Sequence, residues 1–123
     1  TDCVAEAEGV RAELSARGGV LLCAMRRTEA VGYALTRANS LSLSVVRLFV
    51  PPSHRRKGVG RLLLSRALEA ASSGRKQLCR LQVEESNSAA KALYMSTGFR
   101  QVDFLRDYYS VGRHALLMEH DLG

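Results

Sequence analysis

Proline, cysteine and aromatic side chains are all scarce in this chain, and each scarcity closes off a class of protein. Two prolines in 123 residues exclude collagen-like structure and proline-rich disorder. The three cysteines, Cys3, Cys23 and Cys79, are odd in number and far apart, so they carry neither a disulfide framework nor the paired spacing of a metal site. Buried thiols in a reducing compartment are expected, with a catalytic cysteine as the lesser alternative. Aromatics make up 6% of the chain, too few to interleave with basic residues as a nucleic-acid stacking surface does. No uncharged apolar run approaches the roughly 18 residues that span a bilayer. The opening Thr1-Asp2-Cys3 shows no basic-then-apolar leader, so a soluble cytoplasmic protein is expected.

What is present fits one globular unit. The 46% of hydrophobic residues and 24% of charged ones suit a single domain over residues 1–123, with enough apolar side chains for one core. Eighteen Lys and Arg against twelve Asp and Glu leave a net charge of +6, which points to an anionic partner: nucleic acid, a membrane surface or a phosphorylated cofactor. The chain opens on Thr1 rather than Met, which leaves room for natural residues upstream, part of the fold among them.

Along the chain, Asp2 can cap a helix whose apolar residues Cys3, Ala7, Val10 and Leu14 have helical spacing, with Gly18-Gly19 as its stop. Val20–Met25 and Ala30–Thr36 are short apolar runs around the charged stretch Arg26–Glu29, which predicts a hairpin. Leu41–Val50 alternates serine with apolar residues and ends in Leu48-Phe49-Val50, a third strand that Pro51-Pro52 stops. Gly58–Ser72 predicts a helix with two apolar stripes, one of Leu64, Leu68 and Ala71 and one of Val59, Leu63, Ala67 and Ala70. Gln77–Glu84 alternates as a strand, Asn87-Ser88 caps a short helix Ala89–Thr97, and Gly98 stands where a left-handed residue is wanted. Arg100–Tyr108 and His114–Asp121 read as a closing pair of strands. The order contains a βαβ unit.

Ser53-His54-Arg55-Arg56-Lys57-Gly58-Val59-Gly60 lies between the third strand and its helix and has the chemistry of an anion cradle. Backbone N–H groups at a helix start have no intrahelical partner and carry the positive end of the macrodipole. Gly58 and Gly60 let the backbone approach a ligand, and Arg55, Arg56 and Lys57 add full charges suited to a pyrophosphate or ribose phosphate. The P-loop and Rossmann patterns do not fit, because the first needs Gly-Lys-Ser/Thr and the second a glycine where Leu63 stands. Asn87 and Tyr94 are seven residues apart and so share one side of the short helix.

Together, Arg55-x-x-Gly58-x-Gly60, Glu85 through Tyr94 and Ser96-Thr97-Gly98-Phe99 resemble the GNAT acetyltransferase superfamily, from about Ala30 to Leu122. Asp107-Tyr108-Tyr109 with Ala115 through Met118 is similar, more narrowly, to N-terminal protein acetyltransferases, both the bacterial ribosomal-protein alanine enzymes and the NatA-type catalytic subunits. The resemblance implies an α/β fold with a mixed central sheet and helices on both faces, open to lacking its first strand and helix. It implies acetyl-CoA as co-substrate, transferred to an amine, foremost the N-terminal α-amine of a protein or peptide, with no nucleic-acid or membrane partner and room for an auxiliary subunit. Leu48, Phe49 and Val50 would meet the pantetheine arm, Arg55, Arg56, Lys57, Gly58, Val59 and Gly60 the pyrophosphate, and Asn87 the pantetheine. Tyr94 would also border the cofactor and act as general acid at sulfur. Gln82, Tyr108 and Tyr109 would line the acceptor groove, and no metal is implied.

One departure matters chemically. Where such enzymes carry a Glu or His as base, this chain has Gln82, which takes no proton near neutral pH, although it can position a water. Ser44 on the preceding strand is no better, and Glu84 or Glu85 is the remaining carboxylate candidate. An α-amine of pKa about 7.7–8.0 is roughly one-third neutral at about pH 7.5, against about 0.1% for a lysine. A site without a strong base therefore suits α-amines. A second departure, Gly112-Arg113-His114, stands where relatives carry acidic residues and bears on peptide preference. The other readings are a transferase for a small amine, a non-catalytic acyl-CoA-binding module, and a nucleic-acid-binding domain suggested by the net charge.

Overall fold

A computed structural model describes residues 9–15 and 19–123. Seven strands form one sheet: β1 (Gly9–Leu14), β2 (Val20–Arg26), β3 (Glu29–Ala38), β4 (Ser42–Phe49), β5 (Leu78–Glu84), β6 (Arg100–Ser110) and β7 (Arg113–Asp121). Two helices, α1 (Val59–Ser73) and α2 (Ser88–Ser96), follow β4 and β5 respectively. The spatial order is β1-β2-β3-β4-β5-β7-β6. Only β4 and β5 pair in parallel, and the other neighbours are antiparallel. The sheet is therefore mixed, as expected.

The β2–β3 hairpin, the third strand, both later helices and the closing pair stand within a few residues of their predicted bounds. The amino-terminal helix does not. Asp2, Cys3 and Ala7 lie outside the described residues, whereas Val10 and Leu14 stand on β1, paired with Ala24 and Val20. A spacing of four satisfies both the helical period and the two-residue period of a strand. The intervening pattern decides the matter: Val10, Ala12 and Leu14 share one face, while Arg11 and Glu13 form a 2.7 Å ion pair on the other. Gly19 has a structural rather than a helix-stopping role, since a Cβ there would fall 2.6 Å from the Thr36 carbonyl oxygen.

Helix α1 lies against the sheet through Val59, Leu63, Leu64, Ala67 and Ala71, all buried. Ala70, predicted on an apolar stripe, is exposed. Gly32 on β3 makes this seat possible, because a Cβ there would stand 2.8 Å from a Val59 methyl and 3.4 Å from one of Leu63. Each large aliphatic side chain so buried contributes about 1.5–3 kcal/mol relative to exposure. Along the registered strands Gly32 shares its face with Ala34, Thr36, Leu43, Cys79 and His120. Phe99, just after α2, packs edge-on against His120, and Tyr94 of α2 joins the same core. Both described helices thus cover one face. The second layer expected on the opposite face is absent among the described residues, and there Tyr33, Leu35, Leu78 and Leu117 are half-buried.

Among the described residues the buried polar side chains of Thr36 and Ser42 are satisfied, while Arg80 Nε is a buried donor without a partner. The Thr36 hydroxyl donates to the Val20 carbonyl at 3.0 Å. The Asn39 side-chain oxygen accepts from the N–H groups of Leu41 and Ser42 and from the Ser42 hydroxyl, which folds the turn between β3 and β4. Cys23 and Cys79 are buried and free, and burial pushes the Cys79 thiol up to about 11. At neutral pH it is a packed thiol and no nucleophile.

Gly98 ends the α2 connection at φ +98, and a Cβ there would lie 2.7 Å from His120 Nε2. Gly98→Ala should cost about 1–3 kcal/mol of stability. Urea denaturation checks this. His120→Ala in the same chain should recover the steric part and leave the backbone part.

Candidate active site

The parallel pairing of β4 with β5 runs from Ser42/Leu78 to Val45/Leu81 and stops there. Beyond it β4 continues through Phe49 and β5 through Glu84, so the two strands part into a V. A bulge helps to open it: Leu35 faces Arg47 while Thr36 faces Val45, leaving Val46 as the extra residue on β4. Pro51-Pro52 then ends the strand in a single 3-10 turn at Pro52–His54. On the other arm, β5 remains paired to β7, up to Glu84/Ala115.

A cavity of about 630 Å³ lies between the diverging end of β4, the start of α1 and α2. Leu48, Phe49 and Val50 line it from β4, Arg55, Arg56, Gly58, Val59 and Gly60 from the loop and start of α1, and Asn87 and Tyr94 from α2. These are the predicted cofactor residues except Lys57, which lies outside the lining. His54, Arg61, Ala89, Ala90 and Leu93 also line it. Arg61 was legible as the first-turn cation of α1, whereas the three α2 residues depend on how the helices meet. That meeting requires Gly60, where a Cβ would approach Leu93 to 3.2 Å.

The cavity floor is an uncapped helix start. Gly58 takes the left-handed conformation at φ 79, no side chain caps α1, and the first intrahelical bond runs from Leu62 N–H to the Gly58 carbonyl. The N–H groups of Val59, Gly60 and Arg61 therefore precede the helical ladder. Arg56, also left-handed at φ 61, shapes the turn leading into it. Arg55 Nε donates to the Val50 carbonyl at 2.8 Å, which joins the loop to the end of β4. This bond takes one lone pair of the Val50 carbonyl and uses only Nε of the Arg55 guanidinium. Asn87 also has a structural task, since its side-chain oxygen accepts from the Ala90 N–H at 3.1 Å and caps α2.

Tyr94 lines the cavity from α2. It is 7% exposed, its ring meets Phe99 edge-on at 6.1 Å, and burial, reinforced by Tyr109, pushes its phenol up to about 12. It is a proton donor at neutral pH and no base.

The remaining predicted residues, Gln82, Tyr108 and Tyr109, stand outside the cavity lining. Tyr108 donates from its hydroxyl to Gln82 Oε1 at 2.9 Å, binding β6 to β5 across β7. Tyr109 meets Tyr108 edge-on at 5.0 Å. A bulge presents the pair: Asp107 is left-handed at φ 54, its N–H donates to His114 Nδ1 and its carboxylate accepts from the Gly112 N–H. Both tyrosines are exposed, 50% and 42%.

Of the candidate carboxylates, Glu84 accepts two 2.8 Å bonds from Arg113. The guanidinium holds its carboxyl below the usual range, which makes it a weak base. Ser44 pairs with Arg80 in the strand register. Among the described residues no cluster of His, Cys, Asp and Glu could hold a metal ion, and no helix is long and apolar enough to cross a membrane.

Because the folded value of Tyr94 lies above that of an unfolded tyrosine, near 10, the native state keeps a proton that the unfolded chain releases. Its contribution to stability is complete below pH 10 and falls as pH climbs toward about 12. Tyr94→Phe should flatten that fall. Urea midpoints on both sides of pH 10 check it, and an unchanged slope would refute the burial argument.

Three comparisons bear on this arrangement. The chain is 39% identical over 98 residues to the N-alpha-acetyltransferase RimI of Mycobacterium tuberculosis, covering 76% of this chain and 60% of that protein. It is 32% identical over 77 residues to the ribosomal protein bS18-alanine N-acetyltransferase of Salmonella typhimurium, covering 63% of this chain and 52% of that one. The chain thus spans a little over half the length of these curated relatives. Its fold superposes on the crystal structure of the ribosomal-protein-S18-alanine N-acetyltransferase from Escherichia coli with a TM-score of 0.79, at 25% identity over 85% of this chain and 70% of that one. The model of the acetyltransferase (GNAT) domain matches residues 2–121, nearly the whole sequence, and with the parted strands and the uncapped glycine-flanked helix start it identifies the chain as a member of the GNAT acetyltransferase family.

Proposed function

We propose that residues 1–123 form one acetyl-CoA-binding domain that transfers the acetyl group to the N-terminal α-amine of a protein or peptide. The observation that carries this reading is one continuous cavity lined by the uncapped start of α1 and by the buried Tyr94. Its two ends suit the two ends of acetyl-CoA. Arg55, Arg56 and the N–H groups of Val59, Gly60 and Arg61 hold the pyrophosphate, with Lys57 adding charge from outside the wall. Leu48, Phe49, Val50 and Asn87 border the pantetheine arm. The names of the similar proteins, N-alpha-acetyltransferases of bacteria, support the acceptor class.

In this reading the neutral amine attacks the thioester carbon, forming the C–N bond. As the tetrahedral intermediate collapses, the C–S bond breaks and the sulfur takes the Tyr94 proton. The amine's surplus proton leaves to water held near Gln82, and Tyr94 is reprotonated from solvent. No strong base is needed, because a substantial share of an α-amine is already neutral at cellular pH. Tyr108 and Tyr109 form the acceptor wall. A cytoplasmic setting fits the two free, buried thiols, and the exposed β6–β7 end leaves space for an auxiliary subunit.

Incubation with acetyl-CoA and paired peptides, N-terminus free or blocked and each with an internal lysine, tests the proposal when mass spectrometry locates the product. Acetylation only of free N-termini is expected. Product on lysine or on small amines alone would overturn the acceptor assignment. Tyr94→Phe should lower kcat by about 10²–10⁴-fold with acetyl-CoA affinity retained. Replacing Arg55 and Arg56 with Ala should weaken acetyl-CoA binding by about tenfold or more, read by calorimetry.

A further inference from the structure

Arg113 opens β7 opposite Ser110, and three elements converge on it. Its Nε and Nη2 each donate to one oxygen of Glu84 on β5 at 2.8 Å, a two-pronged fork. Its guanidinium carbon lies 5.5 Å from the ring centroid of Tyr109 on β6. Tyr109 in turn meets Tyr108 edge-on, and Tyr108 bonds Gln82 two residues before Glu84. The side chains of Glu84, Arg113, Tyr109, Tyr108 and Gln82 therefore run from β5 out to the hairpin and back.

We infer that Arg113 is a positioning residue for the acceptor: it holds the Tyr109 ring at the mouth of the V beside Tyr94 and keeps the Glu84 carboxylate away from the incoming amine. This rests on the transferase reading above. Two physical arguments support it. A tyrosine at an exposed hairpin end otherwise samples several rotamers, and a planar cation fixed by a fork against its face limits that freedom. A free carboxylate beside the amine would favour its ammonium form, which cannot attack a thioester. Pairing with Arg113 cancels that field. The other titratable groups around the clamp are Tyr94, Tyr108, Tyr109 and Glu85, whose N–H donates to the His114 carbonyl, with Asp107 and His114 bonded to each other at the base of the hairpin. Lysine cannot replace this arginine, because an ammonium is a point donor that makes neither the fork nor the flat stack.

Steady-state kinetics of Arg113→Ala, Arg113→Lys and the double variant Arg113→Ala with Glu84→Gln test the inference, with an α-amino peptide and acetyl-CoA over about pH 6–9.5. Arg113→Ala should raise the peptide KM about tenfold and move the rising limb of the kcat profile to higher pH. The double variant should return the limb but not the KM, and Arg113→Lys, which keeps the charge without the fork or the flat stack, should likewise hold the limb but not the KM. Acetyl-CoA affinity by calorimetry should stay within about twofold in all three. Peptide KM and limb both unmoved in Arg113→Ala, or acetyl-CoA affinity lost in parallel, would overturn the inference. Should Arg113→Ala not fold, Glu84→Gln alone, which keeps the cation and weakens the fork, should raise the peptide KM about threefold, and an unchanged KM would overturn it. Wild-type protein that leaves α-amino peptides unmodified defeats the transferase reading instead, before any variant is compared.

Discussion

The parting of β4 from β5 is the constraint on which the rest of the site depends. Parallel neighbours end at the same edge of a sheet, so when their ladder stops after Val45/Leu81, both carboxyl ends open toward one crevice. On β4 the bulge at Val46 and the prolines that follow prevent the ladder from resuming. On β5, pairing to β7 continues, so that arm stays rigid. The V opens toward both faces of the sheet. Helix α1 brings its free N–H groups from one side, and Gln82 and the paired tyrosines approach from the other.

Burial and ion pairing assign the proton roles within this opening. Tyr94 is enclosed, so it keeps its proton, and the carboxylate best placed to act as base is tied to Arg113. In the proposed transferase the same two facts leave the amine to provide its own neutral form, which favours amines that are partly neutral near pH 7. In that proposal the Arg113 clamp links acceptor choice to the geometry of the β6–β7 hairpin. Arginine stands in a position where the family resemblance implies acid, and its partner Glu84 lies on β5.

Much of this was legible in the chain because local chemistry repeated the tertiary outcome. Pro51-Pro52, the basic run and Gly58-x-Gly60 mark a strand end, a turn and a helix start within ten residues, and the structure uses each in that role. The amino-terminal segment was misread for an equally local reason: Val10 and Leu14 satisfy two periods, and pairing with β2, which no single segment encodes, selects between them. The expectation of helices on both faces came from the resemblance. The described residues place both on one, because Phe99 and Tyr94 follow the face that Gly32 leaves open to α1.

The sequence by itself determined the elements from β2 onward, their order and the charge and flexibility of the basic, glycine-flanked loop, since spacing, proline, glycine and charge act within a few residues. Only the tertiary structure decided which side chains share a wall. Lys57 belongs to the loop yet falls outside the cavity, while Ala89, Ala90 and Leu93 carry no functional signal and line it. It alone joined Glu84 to Arg113 and Tyr108 to Gln82, residues 29 and 26 positions apart. Such pairs depend on strand register across β5, β7 and β6, and register is set by burial over a whole sheet face rather than by any local pattern.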